Sequence, residues 1–266
     1  MSYRAMFELG GRTALVTGAC GTLGPAFCAG LAEFGANLVV TDLDGRKAEA
    51  LAGELASRHG VETLGLACDV SKPDAVEAMT KRAVERFGAI DILHNNAGNP
   101  PSDPAAYFVR FEDYDLAEWR RVLATDLDGM FLVAQAVGGH MAARGSGVIV
   151  LTGSIYGALG ADQRIYEGHA INNPAVYSAG KAGVIGLARW LATYWAARGV
   201  RVNALVPGGV EGGQDQAFIA RYSNRVPLNR MARREEMVGA LLWLVSDASS
   251  YVTGQTIFVD GGLSAW

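Results

Sequence analysis

Tyr177 and Lys181 stand four residues apart in the stretch Tyr177-Ser-Ala-Gly-Lys181, with Ser154 upstream. On a helix, positions i and i+4 share one face, about one turn apart. A phenol beside an ammonium on that face is an acid–base device, because the positive charge stabilises the phenolate. Alone the spacing is a weak signal, since Tyr and Lys fall four apart by chance in many helices. It gains weight from what precedes it: a glycine-rich turn after an apolar run, an acidic residue closing the next run, and Asn95-Asn96-Ala97-Gly98.

Such residues need elements that bring them together. Short β-branched apolar runs alternate with longer segments of helical periodicity. Thr13–Thr17, Asn37–Thr41, Thr63–Cys68, Ile90–His94, Gly147–Leu151, Val200–Val206 and Thr256–Val259 read as strands. Leu23–Phe34, Arg46–Arg58, Leu116–Ala143, Ala175–Arg198 and Glu235–Leu244 read as helices, with Pro25 tolerated in the first turn of its helix. Strands alternating with helices predict an α/β fold, a doubly wound parallel sheet of about seven strands with helices on both faces. No repeat or Gly/Ser linker marks a second domain, so residues 1–266 read as one domain. Two irregular stretches stand out: Asn99–Asp113, and the polar run between Ser154 and Tyr177.

The turn Thr17-Gly18-Ala19-Cys20-Gly21-Thr22-Leu23-Gly24 lies where the first strand meets the first helix. Glycines permit the tight turn and close approach, and the helix start offers free amides to a pyrophosphate. Asp42 follows Gly24 by 18 positions, at the end of the second strand. A carboxylate there accepts from the adenosine ribose hydroxyls and repels a 2′-phosphate. Neither Thr41 nor Leu43 supplies a cation, although Arg46 and Lys47 lie close behind, so NAD is favoured over NADP. Asp69-Val70 ends the third strand, where a carboxylate can meet the adenine amino group. Asn96, Ala97 and Gly98 end the fourth with small residues against which a ribose can pack. All are strand carboxyl ends, where open α/β sheets bind ligands.

Composition narrows the alternatives. A net charge of −4, without a basic block or aromatic–basic interleaving, argues against a nucleic-acid surface. Cys20, Cys28 and Cys68 form no C-x-x-C pair, so neither a disulfide framework nor a zinc site is expected, and a reducing cytoplasm suits them. His59, His94, His140 and His169 have no ligand spacing among themselves, and His94 reads as a strand-end residue near the cofactor rather than a base. No metal is expected. The N-terminus lacks the apolar core of a signal peptide, and no apolar run approaches the ~18 residues of a membrane span. These features together predict a soluble, cytoplasmic protein with no membrane partner.

The glycine turn, Asn95–Gly98, Ser154, Tyr177/Lys181, Pro207-Gly208 and the C-terminal Val259-Asp260-Gly261-Gly262 together resemble the short-chain dehydrogenase/reductase family, short-form branch, from about Gly11 to Gly262. The resemblance implies one Rossmann-like domain, usually in a homotetramer, transferring hydride at C4 of a nicotinamide. It places Ser154 as donor to the substrate oxygen, Tyr177 as acid–base, and Lys181 on the nicotinamide ribose hydroxyls beside Tyr177. Pro207, Gly208 and Val210 pass the nicotinamide carboxamide, and Glu211–Arg234 forms a lid over substrate. Two positions depart from the family pattern. Thr22 occupies the middle glycine of the short-form turn, with glycine at Gly21 instead. Asp126 stands where the family has a catalytic asparagine that steadies a helix kink and a water reaching the lysine; a carboxylate there adds a buried charge that must find a partner. The threonine commonly found after the Pro-Gly motif is also missing, near Gly212.

Twenty-three positions separate Ser154 from Tyr177, more than in many family members. The extra segment Gly160–Pro174 offers Arg164, Glu167, His169 and Asn172, donors and acceptors suited to a polyhydroxylated substrate, and Arg164 can pair with a carboxylate. A solvated loop or subunit contact explains the same segment. The expectation is an NAD-dependent oxidoreductase interconverting a secondary alcohol and a ketone on a sugar, polyol or sugar acid. Alternatives are a 3-oxoacyl reductase-like enzyme, or a catalytically weakened cofactor-binding sensor or structural subunit.

Overall fold

The structure, a computed structural model, describes residues 2–98, 103–168 and 171–266. Strands β1 (Thr13–Thr17), β2 (Asn37–Asp42), β3 (Thr63–Ala67), β4 (Ile92–Asn95), β5 (Gly147–Thr152), β6 (Val200–Pro207) and β7 (Thr256–Val259) form one parallel sheet in the order 3-2-1-4-5-6-7. Register aligns the strand ends that matter: Thr17 with Thr41, Val16 with His94, Asn95 with Leu151, and Thr152 with Leu205. The order reverses beside β1, whose neighbours are β2 and β4. Their carboxyl ends splay there and leave a crevice.

Side chains along a strand point alternately to the two faces, and each face is covered. Leu15, Val39, Leu93 and Ile149 pack with α3 (Pro73–Phe87), α6 (Met130–Arg144) and α7 (Ala175–Trp195). Val16, Val40, Val148 and Val150 pack with α1 (Gly24–Glu33), α2 (Gly45–His59) and α9 (Val238–Val245). The Asp44 carboxylate caps α2 by accepting from the Arg46 and Lys47 amides, and Gly60 closes it at φ 70°, a left-handed position that glycine adopts without strain.

The expected helix over Leu116–Ala143 is interrupted. The chain passes from α5 (Leu116–Leu123), which follows the short α4 (Pro104–Tyr107), into a π-helical turn at Ala124–Gly129 and then α6. A π turn carries one extra residue per turn and re-aims the side chains within it. Asn95 Nδ2 donates to the Met130 carbonyl at 2.8 Å just beyond it. Leu116–Arg144 is long and apolar enough by composition to cross a bilayer, yet it sends Met130, Val133, Val137 and Met141 into the core. Strand β4 also starts later than its sequence pattern, at Ile92.

Two excursions leave the carboxyl ends of β5 and β6. One is the segment after β5, with single 3-10 turns at Ile155–Gly157 and Gln163–Tyr166. The other leaves β6 and carries α8 (Gln216–Ser223). The ends of the second are pinned together by a parallel bridge between Val210 and Ala232.

Candidate active site

The turn after β1 is built by contact with its neighbours. Gly18 has φ 61°, and a Cβ there would stand 2.7 Å from the Ala97 Cα, so the turn lies directly on the Asn96–Ala97 backbone. The Ala19 amide donates to the Thr41 carbonyl at 3.0 Å and the Cys20 amide to Asp42 Oδ2 at 2.8 Å. The Asp42 carboxylate thus positions the turn it faces across the groove. Asp69 Oδ1 accepts from the Ser71 amide and hydroxyl at 3.0 and 2.7 Å, which fixes it at the end of β3. Burial, then the Asp42 and Asp44 charges, push the Cys20 thiol up to about 11. It therefore stays protonated, a poor nucleophile.

A single cleft of about 760 Å³ runs from this turn across the sheet. Gly18, Cys20, Gly21, Thr22, Leu23, Asp42, Leu43, Asp69, Val70, Asn96, Ala97, Gly98, Pro207, Gly208 and Val210 line it, and so do Asp126, Ser154, Tyr177 and Lys181. Gly24 does not. It is buried behind the turn, where a Cβ would meet the Ala19 carbonyl at 2.4 Å; its part is helix–turn packing rather than a wall of the groove. Thr41, Asp44, Lys47, Cys68, Thr125, Thr152 and Gly153 also line the cleft, and sequence reasoning did not single them out as contacts. Most adjoin a motif residue at a strand end, which is the signal that finds them.

At the far end of the cleft three polar groups converge. Ser154 is buried just past β5, and its Oγ accepts from the Tyr156 amide at 3.2 Å. That bond occupies a lone pair and leaves the hydroxyl proton to donate. Lys181 is 4% exposed; its Nζ donates to the Thr152 carbonyl at 3.4 Å and lies 5.8 Å from the Tyr177 ring centroid. Gly157 explains how α7 comes so close to the Ser154 turn, since a Cβ there would meet the Lys181 carbonyl carbon at 2.5 Å. Asp126 is buried in the π turn, and a Cβ on Gly98 would sit 3.9 Å from its Oδ1 and 4.0 Å from Lys181 Nζ. Carboxylate and ammonium therefore face the same small gap beside Tyr177. Tyr107, Tyr156, Tyr166 and Tyr222 surround this end, and burial pushes all four phenols up, keeping them neutral hydroxyls.

The polar insertion is arranged differently from its sequence expectation. Arg164 is 79% exposed and forks onto Asp162 through Nε and Nη2, both at 2.8 Å. It does not line the cleft. Arg225 of the second excursion also donates to Asp162, and Arg221 donates to the Glu167 carbonyl. Tyr166 meets Phe218 of α8 at 5.5 Å between ring centroids, and Asn172 Nδ2 donates to the Phe108 carbonyl at 2.6 Å. The insertion is bolted to α8. His169 lies outside the described residues, as does the start of the Asn99–Asp113 stretch. Arg230 forks onto Glu236 at 2.6 and 2.7 Å. Among the described residues no group of three His, Cys, Asp or Glu side chains is placed to hold a metal ion.

Comparison with known proteins agrees with this geometry. Residues 18–264 match a family profile described as enoyl-(acyl carrier protein) reductase. The chain is 39% identical to a cis-4-hydroxycyclohexanecarboxylate dehydrogenase of Sinomonas cyclohexanicum, over 96% of this chain and 97% of that protein. It is 35% identical to a galactitol 2-dehydrogenase (L-tagatose-forming) of Cereibacter sphaeroides, over the full length of both. A crystal structure of gluconate 5-dehydrogenase from Burkholderia cenocepacia, in complex with NADP and tartrate, superposes with a TM-score of 0.88 at 35% identity, covering 98% of this chain and 99% of that one. The chain belongs to the short-chain dehydrogenase/reductase family. As such it is an oxidoreductase acting on CH–OH groups. The residues present fit a nicotinamide dinucleotide: the Asp42 carboxylate at the end of β2, the side-chain-free Gly18 surface after β1 and the gap at Gly98 after β4 follow the strand order across the groove.

Proposed function

We propose that the protein is an NAD-dependent dehydrogenase of a secondary alcohol on a polyol, sugar or sugar acid, with Ser154, Tyr177 and Lys181 as its reaction centre. The observation that carries this reading is one continuous cleft with the Asp42 carboxylate at one end and the Ser154–Tyr177–Lys181 cluster at the other. When bound, the dinucleotide supplies the hydride acceptor, or the donor in the reverse direction. Ser154 donates its hydroxyl proton to the substrate oxygen and orients it. Tyr177, as phenolate, takes the alcohol proton; as phenol, it returns one to the alkoxide in reduction. Lys181, held by the Thr152 carbonyl, keeps a positive charge beside Tyr177 and would hold the nicotinamide ribose hydroxyls. Asp126, buried in the π turn between α5 and α6, presents its carboxylate to the gap at Gly98 that Lys181 also faces.

Asp42 supports NAD over NADP because a carboxylate at the end of β2 accepts from ribose hydroxyls and repels a 2′-phosphate, with Lys47 the only cation lining that part of the cleft among the described residues. The polyol reading draws on the galactitol dehydrogenase relative and on the neutral tyrosine hydroxyls around Tyr177. The segment 211–234 acts as a substrate lid within one domain. The protein works as a cytoplasmic homotetramer, for which the exposed, stacked Trp190 and Tyr194 on α7 provide an apolar face. The deciding experiment follows NAD+ and NADP+ reduction with a panel of polyols, sugars, sugar acids and cyclic secondary alcohols, and NADH and NADPH oxidation with an acetoacetyl thioester. Turnover only of the thioester would replace this reading with a 3-oxoacyl reductase; turnover of nothing, with dinucleotide still bound, would leave a sensor.

A further inference from the structure

His94 is a fully buried imidazole that takes no part in the chemistry above, and its hydrogen bonds have a direction. Asn96 settles that direction. Its Nδ2 faces two carbonyls, those of Thr17 and Gly18, each at 3.3 Å, so Oδ1 is the atom 3.1 Å from Thr152 Oγ1. A carbonyl oxygen only accepts, so the single Thr152 hydroxyl proton is donated to Asn96. The 3.0 Å contact between Thr152 Oγ1 and His94 Nε2 must then be closed by a proton on the imidazole. His94 is the Nε2–H tautomer, and its buried Nδ1 has no partner. Phe27 packs edge-on against the ring at 4.4 Å, and burial holds the pKa down to about 3, so the ring stays a neutral donor.

The chain of donors therefore runs one way, from His94 through Thr152 to Asn96 and on to the carbonyls of the glycine turn, crossing β5, β4 and β1 beneath the cleft. The main-chain carbonyl of the same Thr152 receives Lys181 Nζ. We propose that His94 is a positioning residue whose Nε2–H locks Thr152, and through it both the Asn96 brace under the dinucleotide groove and the acceptor of Lys181. An apolar side chain would fill the space beside Phe27 equally well but would leave the Thr152 hydroxyl free to rotate away. The inference rests on reading Lys181 and the groove as the reaction site.

The test compares His94→Leu with His94→Gln, whose side-chain amide reaches about where Nε2 does, and adds Thr152→Val and the double variant H94L/T152V. Titration calorimetry with NADH and with NADPH gives Kd, and steady-state kinetics on the best alcohol gives kcat and KM. His94→Leu is expected to weaken binding of the preferred dinucleotide about tenfold and lower kcat by a similar factor, as for a buried hydrogen bond left half-made. His94→Gln restores both to within about threefold. The double variant is no worse than Thr152→Val, because both cut the same chain. Wild-type Kd in His94→Leu, equal impairment in Leu and Gln, or additive losses would each overturn the proposal. Should His94→Leu not fold, Thr152→Val carries the test alone: it must weaken the dinucleotide about tenfold, and unchanged binding overturns the relay. If the wild type turns over no alcohol, the calorimetry still decides, and the failure then belongs to the assigned reaction.

Discussion

The floor of the cleft and the cap formed by the two excursions are held by different forces. The floor is made of strand ends tied by buried or half-buried bonds: Thr17 Oγ1 to Asn95 Oδ1 at 3.1 Å, the Asn96 amide to Thr17 Oγ1 at 2.9 Å, and the Cys20 amide to Asp42 at 2.8 Å. The cap, formed by the 160–173 insertion and α8, is joined by arginines to Asp162 and to the Glu167 carbonyl, largely in contact with water. Buried bonds with no water competitor are costly to break and hold one geometry. Exposed ion pairs contribute little each and are screened by salt. The molecule thus combines a preorganised dinucleotide floor with a cap that is rooted in the core by Ile165, Phe218 and Tyr222 but whose two halves are joined to each other by weak, salt-sensitive links.

The sharpest break in that comparison removes chemistry from the floor's far end without touching its bonds. Tyr177→Phe is expected to lower kcat about 10²–10⁴-fold, since only the hydroxyl transfers the proton, while the ring still packs. Calorimetry should show dinucleotide binding close to wild type. Retention of more than about a tenth of kcat would remove Tyr177 from the acid–base role. Next in size, Asp42→Ala combined with Leu43→Arg should shift preference toward NADP by roughly ten- to a hundredfold in kcat/KM, by removing a repulsive carboxylate and adding a charged donor. A wild-type enzyme that already prefers NADP would show that Asp42, already accepting from the Cys20 amide, serves the turn and not the ribose.

The floor was legible in the sequence to a greater degree than the cap, and for a physical reason. A glycine turn, an acidic strand end and Tyr177/Lys181 are local patterns, and a parallel sheet brings strand carboxyl ends together whatever lies between them. Asp44 and Lys47 carry no sequence signal as contacts because they belong to the cap and first turn of α2, which reaches back to the groove only once the helix is docked. Thr125 enters through the π turn, and the apolar periodicity of Leu116–Ala143 runs on without a break to announce that turn. Arg164 looked like a substrate ligand by type; Asp162, two residues before it, captures the guanidinium locally. His94 reads from the sequence as a strand-end residue near the cofactor, but its donor chain depends on rotamers of Thr152 and Asn96 that no spacing encodes.

The floor should also show its burial in the pH dependence of stability. An unfolded histidine titrates at about 6.5, whereas folded His94 is held at about 3 by desolvation. Between those values the unfolded chain binds a proton that the native chain excludes, so native stability is fully present above about pH 6.5 and falls as pH drops toward 3. One such group gives a slope of about 1.4 kcal/mol per pH unit. Urea unfolding at a series of pH values from about 7 to about 5, above the carboxylate range, should show a steeper slope in the wild type than in His94→Gln, where what is left includes His140, whose imidazole burial also holds down. Equal slopes in both proteins would mean that the native chain admits the proton.

The cap should respond to salt instead, and by the smallest margin. Asp162 accepts from Arg164 and from Arg225, and those arginines hold its carboxyl well below the usual carboxylate range, so it is charged at every working pH. Asp162→Asn weakens both links at once, whereas Arg164→Ala leaves the Arg225 link to α8 in place. Kinetics should therefore show KM for the best alcohol rising only about two- to fivefold in Asp162→Asn, and hardly at all in Arg164→Ala, with the NADH Kd unchanged in both. High salt should raise the wild-type KM toward that of Asp162→Asn and leave the variant almost unmoved, since screening removes what the substitution has already removed. A loss of NADH affinity as large as the rise in KM would mean that cap and floor respond together, and the division between a rigid floor and a salt-sensitive cap would fail.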